Sequence, residues 1–204
     1  KALFGTARSY MWEREYQLAV DWFDKLTKKY LNTKDGREGL AFKGASYVRL
    51  GKNLEAAKTY EQYASMFPNG ERIESSYLNI IDAYREAKKY DEANAWVEKT
   101  RAKFGNSKTT TNALQARLRM EIYRENWNGA VAAADETLAL NRFAGSMTSA
   151  DEIKYLKAFA LERAGKRAEA IAVYNSIPDS FSSYYGGLAK ERLDVLQPNN
   201  LKKT

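Results

Sequence analysis

Small and bulky apolar positions recur along this chain at one long interval. Ala19, Ala56, Ala93 and Ala130 are separated by 37 residues each, and Ala170 follows after 40. Each stands in a segment of one form: an aromatic or polar starter, two residues, alanine, then a bulky residue four further on. Those bulky followers are Phe23, Tyr60, Val97 and Tyr174, with Ala134 the weak member. Between the alanines, apolar residues return every three or four positions, which is the period of an amphipathic helix. Leu40, Gly44, Tyr47 and Leu50 make one such face between Arg37 and Leu50. Ala56, Ala57, Tyr60, Tyr63 and Ala64 make another between Leu54 and Met66. Gly51-Lys52-Asn53 breaks the pair, with Gly51 suited to a left-handed cap, and Pro68-Asn69-Gly70 ends the unit as a turn.

The same two-helix plan is predicted four more times. Leu3 to Trp12 pairs with Tyr16 to Tyr30. Tyr77, Ile80, Ile81 and Tyr84 lead into Ala93 to Phe104. Leu114, Leu118 and Ile122 lead into Ala130 to Leu140, and Tyr155, Ala158, Phe159 and Leu161 into a helix reaching Ile177. Ser182 to Leu196 supplies a last unpaired helix. Asn141 to Ser149 carries the three extra residues of the last interval and reads as a surface insertion. A fixed period of this size predicts stacked units, so residues 1–204 are expected to form a single α-solenoid domain. Its repeats are placed at 1–33, 37–70, 73–106, 109–142 and 149–181, with a terminal helix over 182–197.

Composition narrows the chemistry. Apolar residues make up 44% of the 204 positions and aromatics 13%, ample for a packed interior. No run approaches 18 apolar residues, so no membrane span is expected. There is no cysteine and no histidine, which removes thiolate nucleophiles, disulfides, thiolate zinc sites and every Ser-His-Asp arrangement. No glycine-rich phosphate loop and no EF-hand pattern occurs, so no cofactor and no metal is expected. A net charge of +7 suits polyanionic partners or simple solubility. The bases are interleaved with 26 acidic residues and form no dense block, which argues against nucleic acid. The chain starts at Lys1 with no signal-like apolar stretch and reads as a processed or excised segment.

Paired carboxylates could cleave a glycosidic bond. The candidates Asp135/Glu136 and Asp151/Glu152 are sequence neighbours that point apart on a helix, and they read as solvated helix faces. Binding is the better prospect. With the units in register, Arg8, Arg49, Arg85, Arg119 and Arg163 fall near the middle or end of the first helix of each hairpin, the helix that lines the concave side of such superhelices. They would suit carboxylates, with Tyr123 and Tyr155, beside Trp12 and Phe159, offering ring faces to sugars or peptide side chains. The alternative is solvated arginines and aromatics packed between repeats. Tyr184 and Tyr185 sit about 100° apart on a helix and read as packing and docking residues. Gly186-Gly187 costs about 1 kcal/mol per glycine within a helix, which implies a close helix crossing.

The second unit resembles a tetratricopeptide repeat. Leu40, Gly44, Tyr47, Ala56, Tyr60 and Pro68 fall at relative positions 4, 8, 11, 20, 24 and 32 of the W-x2-L-G-x2-Y…A-x3-F…P pattern. Leucine replaces tryptophan, Lys43 stands where leucine is usual, and the interval of 37 exceeds the usual 34. The third unit keeps Tyr77, Tyr84 and Ala93. The fold this implies is all-α: a right-handed superhelix of about five antiparallel hairpins plus a terminal helix, with a peptide-binding adaptor as one functional reading.

A second, narrower resemblance lies in Ser182-Ser183-Tyr184-Tyr185-Gly186-Gly187-Leu188-Ala189-Lys190-Glu191-Arg192-Leu193. It is similar to the S-x-Y-Y-G-x-L-A-x-x-R-L segment that closes the helical superhelix of soluble lytic murein transglycosylases, where it follows a repeat ending in a short proline turn, as Pro178 does here. That resemblance implies a periplasmic protein that handles peptidoglycan. This chain would then be its non-catalytic scaffold, and a lysozyme-like catalytic domain would come after it. The catalytic glutamate segment of that family has no counterpart here.

Overall fold

The computed structural model describes residues 1–179 and 183–198. Among the described residues the chain is all helical. Its elements are α1 (Ala2–Trp12), α2 (Tyr16–Tyr30), α3 (Lys34–Arg49), α4 (Asn53–Met66), α5 (Ile73–Glu86), α6 (Tyr90–Phe104), α7 (Lys108–Tyr123), α8 (Trp127–Leu140), α9 (Ala150–Arg163), α10 (Arg167–Asn175) and α11 (Tyr184–Leu196). They make the five hairpins and the closing helix that the periodicity predicts. Ser182, the expected start of the last helix, lies outside the described residues. The helix expected to reach Ile177 ends at Asn175, and α3 starts before the expected Arg37 because Thr33 caps it, its hydroxyl accepting from Gly36 N at 3.1 Å.

Each hairpin turns in the same way. Arg14, Gly51, Lys88, Glu125 and Gly165 all have left-handed backbone, with φ of 64°, 70°, 58°, 56° and 79°. They recur at the alanine interval. Around each, the amide of the following residue donates to a carbonyl five back (Glu15 to Tyr10, Lys52 to Tyr47, Lys89 to Tyr84, Asn126 to Glu121, Lys166 to Leu161). The left-handed residue donates to the carbonyl three back. These two bonds define a Schellman cap. The expectation of a left-handed Gly51 holds, and it extends to three turns where the residue is charged.

The chain divides into two compact units, Lys1–Thr100 and Arg101–Thr204, with the division inside α6. In the first, α1 to α5 pack in chain order. Ala19, Ala56 and Ala93 are fully buried, and Phe4, Phe23 and Phe42 meet with ring centroids 5.8–6.1 Å apart. Gly44 lets α3 approach the Tyr60 ring, whose atoms would lie 2.8–3.0 Å from a Cβ there. Glu61 accepts from Tyr84 Oη at 2.7 Å and Trp96 Nε1 at 2.9 Å, tying α4 to α5 and α6. Burial, aided by that carboxylate, pushes the Tyr84 phenol up to about 12.

In the second unit, α7 to α11 also pack in chain order, with α11 touching both α9 and α10. Leu118, Ala130, Ala133, Ala134, Ile153 and Ala160 form one core cluster. Ala158, Leu161, Ala170, Tyr174, Ile177, Ala189 and Leu196 form the next. Both rest on small residues, which allow close helix approach. The 141–149 insertion is pinned to α7: Thr111 Oγ1 donates to the Arg142 carbonyl at 2.9 Å, and the Met147 amide donates to Asn112 Oδ1 at 2.8 Å.

Candidate functional site

In the second unit, α7, α9 and α11 bring two of the predicted residues, Arg119 and Tyr155, to one face. The floor of that face is Glu152, a buried carboxylate. It accepts from Arg119 Nη2 at 2.6 Å, Gln115 Nε2 at 3.0 Å and Thr148 Oγ1 at 3.0 Å. The Gln115 bond ties α9 to α7 through this carboxylate. The expectation of a solvated Glu152 therefore fails. The insertion delivers Thr148, and Ser149 caps α9 through the Glu152 amide, so the carboxylate is surrounded by donors. Its neighbour Asp151 accepts from Ser183 Oγ at 3.1 Å, Asp135 pairs with Lys157 at 2.6 Å, and Glu136 pairs with Arg101 at 3.1 Å.

Above this floor stand three tyrosines. Tyr185 lies 5.7 Å from Tyr155 and 5.2 Å from Tyr184, and Tyr155 lies 5.6 Å from the buried Tyr174. Tyr184 is 72% exposed, and the Arg119 side chain is 56% exposed. Burial raises the phenols of Tyr155 and Tyr185 above their ordinary value. Beside them Arg192 Nε donates to Glu162 Oε2 at 2.8 Å, and a second guanidinium nitrogen reaches Glu162 Oε1. That contact holds the Glu162 carboxyl below its usual range. A glycosidase acid needs a carboxyl shifted the other way, so Glu162 is an ion-pair partner on this face and no proton donor.

The packing expected of the Tyr184-Tyr185-Gly186 segment is present in part. Ser183 caps α11 through the Gly186 amide at 3.0 Å. A Cβ on Gly186 would lie 2.1 Å from the Pro178 carbonyl oxygen, so the close approach is to the preceding turn instead of a helix crossing. Gly187 faces open space. Tyr184 and Tyr185 also join the exposed ring surface, a role that adjacency in the sequence does not signal.

The remaining predicted residues go elsewhere. Arg8 lies over the Phe4 and Phe42 rings, 5.8 and 6.0 Å from their centroids. It borders a shallow cleft of about 560 Å³ shared with Phe4, Ser9, Trp12 and Asp35. Trp12 is 79% exposed there. Arg49 is exposed at the end of α3. Arg85 pairs with Asp82 at 2.9 Å and Glu86 at 3.0 Å on its own helix. Tyr123 is 71% exposed at the end of α7. Arg163 stacks 5.3 Å from Trp127, about 12 Å along α9 from Tyr155.

Register explains why no continuous arginine row forms. Arg8 and Arg119 share one repeat position, whose other members are Ala45, Asp82 and Phe159. Arg49 and Arg163 share another with Trp12, Glu86 and Tyr123. Arg85 falls on a third, with Met11, Val48, Ile122 and Glu162. The arginines thus occupy three rows, each interrupted by acidic or apolar residues.

Among the described residues no group of His, Cys, Asp or Glu side chains is placed to hold a metal, and no helix is long and apolar enough to cross a membrane. The sequence model of the tetratricopeptide repeat family matches residues 43–107. No curated protein shows significant sequence similarity to the chain. Three solved structures share its fold. A tetratricopeptide repeat protein from Parabacteroides merdae has a TM-score of 0.68 at 16% identity, over 98% of this chain and 74% of that one. A putative kinesin light chain with nearly identical TPR-like repeats from Podosopora anserina has a TM-score of 0.60 at 16% identity, over 99% and 96%. BtubC from P. vanneervenii has a TM-score of 0.63 at 12% identity, over 97% and 79%. The chain is a tetratricopeptide-repeat-like domain of helical hairpins.

Proposed function

We propose that this chain is a non-catalytic binding module that holds a segment of a partner protein on the face built by α7, α9 and α11. The observation that carries the reading is the meeting of Tyr155, Tyr184 and Tyr185 with the half-exposed Arg119. Exposed tyrosine and arginine are enriched among residues that anchor interfaces, since each offers a large rigid surface and a polar tip. Repeat arrays present such surfaces on the first helix of each unit. The carboxylates of Glu152 and Glu162 are already engaged, which leaves the rings to meet the ligand. The test is selection from an unbiased displayed-peptide library, followed by titration of the winners against Tyr184→Ala and Arg119→Ala proteins. The reading expects both substitutions to weaken binding with unchanged helicity; winners indifferent to both would refute it.

A second reading makes the chain the non-catalytic repeat portion of a periplasmic lytic transglycosylase-like protein in contact with peptidoglycan. What favours it is the seating of α11. Ser183 through Asp151, Tyr185 through Tyr155, Gly186 against the Pro178 carbonyl and Arg192 through Glu162 each fix that helix to the last hairpin, as a segment closing a repeat array requires. Retention on purified sacculi across a salt titration tests it, and loss of all retention at low salt would remove it.

A further inference from the structure

We infer that the outer face of α1 is a seat for an α-helix of another protein, one that carries the apolar pattern of this chain's own second helices. The face belongs to the first unit and is independent of the binding role proposed above. Comparison at the repeat interval singles it out. The position of Ala2 is held in the later first helices by Gly39, Ser76, Ala113 and Ile153, and that of Ser9 by Ser46, Ala83, Met120 and Ala160. All of these later residues are buried, whereas Ala2 and Ser9 are exposed, as is Gly5 between them.

Within the chain, such positions are covered by the second helix of the preceding hairpin: α2 lies on α3, α4 on α5 and α8 on α9. Two side chains one turn apart make the contact in the first case. Leu26 and Phe23 of α2 press on Gly39, with carbons that would be 2.6 and 3.4 Å from a Cβ there. Phe23 also stacks on Phe42, the counterpart of Gly5, at 5.9 Å. The place of Lys43, which pairs with Asp24 of α2 at 2.6 Å, is held in α1 by Thr6, so the occupant needs no carboxylate there.

Gly5 is the independent sign. A glycine inside a helix costs about 1 kcal/mol against alanine, and a Cβ at Gly5 would meet nothing within 4 Å. The chain's own packing gives no reason for it; a helix lying on this face does, as α2 does for Gly39. Gly5 and Ser9 line the cleft of about 560 Å³ whose far end carries the exposed Trp12, an anchor of the kind that interfaces favour. A second copy has no bare second helix to offer. Its α2, α4, α8 and α10 each lie between two first helices, and α6 buries Ala93, Trp96, Val97 and Thr100.

A fluorescein-labelled, hydrocarbon-stapled peptide of residues 16–30 tests the seat by anisotropy on the whole chain. The staple is needed because a free helix of about 15 residues is marginal in water. The expected result is saturable binding that Gly5→Leu in the chain weakens roughly tenfold by filling the seat, with the chain's helicity intact. The same peptide with Phe23→Ser and Leu26→Ser should bind at least tenfold more weakly. Absence of saturable binding, as a merely solvated end of the array would give, overturns the inference. So does binding that Gly5→Leu leaves unchanged, which would place the peptide elsewhere. Sedimentation of the chain alone should show a monomer; a dimer abolished by Gly5→Leu would give this face to a second copy and overturn the assignment to another protein.

Discussion

Arg192 grips Glu162 with two guanidinium nitrogens, one of them 2.8 Å from Oε2, and so binds α11 to the last turn of α9. Tyr174 adds its hydroxyl to the same carboxylate at 3.4 Å. Few buried apolar residues hold α11: Gly186, Ala189 and Leu196 are its buried positions. A helix with so small an apolar face depends on its polar contacts to stay docked.

Loss of that pair should therefore loosen α11 first. Glu162→Gln is expected to cost about 1 kcal/mol, the scale of a partly exposed ion pair. The Glu162 carboxyl titrates lower in the folded chain than its ordinary 4.5. Its contribution is full above that value and disappears as pH falls through the lower folded value. Urea melts should show wild type and variant separated at pH 7, with the gap narrowing as pH falls below 4.5.

The five Schellman turns make a second prediction. Arg14, Lys88 and Glu125 hold a left-handed backbone that favours glycine, at φ of 64°, 58° and 56°. Each change to glycine should stabilise by about 0.5–1 kcal/mol. Gly51→Ala should destabilise by about 1 kcal/mol through backbone strain alone, because nothing lies within 4 Å of the added Cβ. Shifts in the urea midpoint with unchanged slope would report both signs.

Adjacent glycines in α11 give a third, with opposite outcomes from one substitution. Gly186→Ala would drive a Cβ to 2.1 Å from the Pro178 carbonyl oxygen and push the helix off its hairpin. Gly187→Ala meets nothing within 4 Å and should stabilise the helix by about 1 kcal/mol. Thermal unfolding of the two variants beside wild type decides the pair.

The fold was legible because it is periodic. Ala19, Ala56, Ala93, Ala130 and Ala170 are all fully buried, and a buried alanine every hairpin is a demand that packing writes directly into sequence. Three of the five turns were less legible as left-handed. Arg14, Lys88 and Glu125 carry no sign of positive φ, since the capping bonds are made by backbone whose geometry most residues can be forced to accept. The candidate face was legible only in part. Arg119 and Tyr155 could be placed on first helices by period, but Glu152 gave no hint of burial. Its three partners come from α7 and the insertion, at separations from 4 to 37 residues. Tyr184 and Tyr185 came from a helix outside the repeat register, so no spacing argument could align them with Tyr155. The five arginines sit on similar helices but on three different repeat positions, so residue type and helix alone do not place them in one row.

Amide chemical-shift mapping of the isotope-labelled chain with a selected peptide tests the central claim most directly. The account predicts perturbations concentrated on Arg119, Tyr155, Tyr184, Tyr185 and their neighbours along α7, α9 and α11. Perturbations confined to α8 and α10, or to the Arg8 and Trp12 cleft of the first unit, would contradict it.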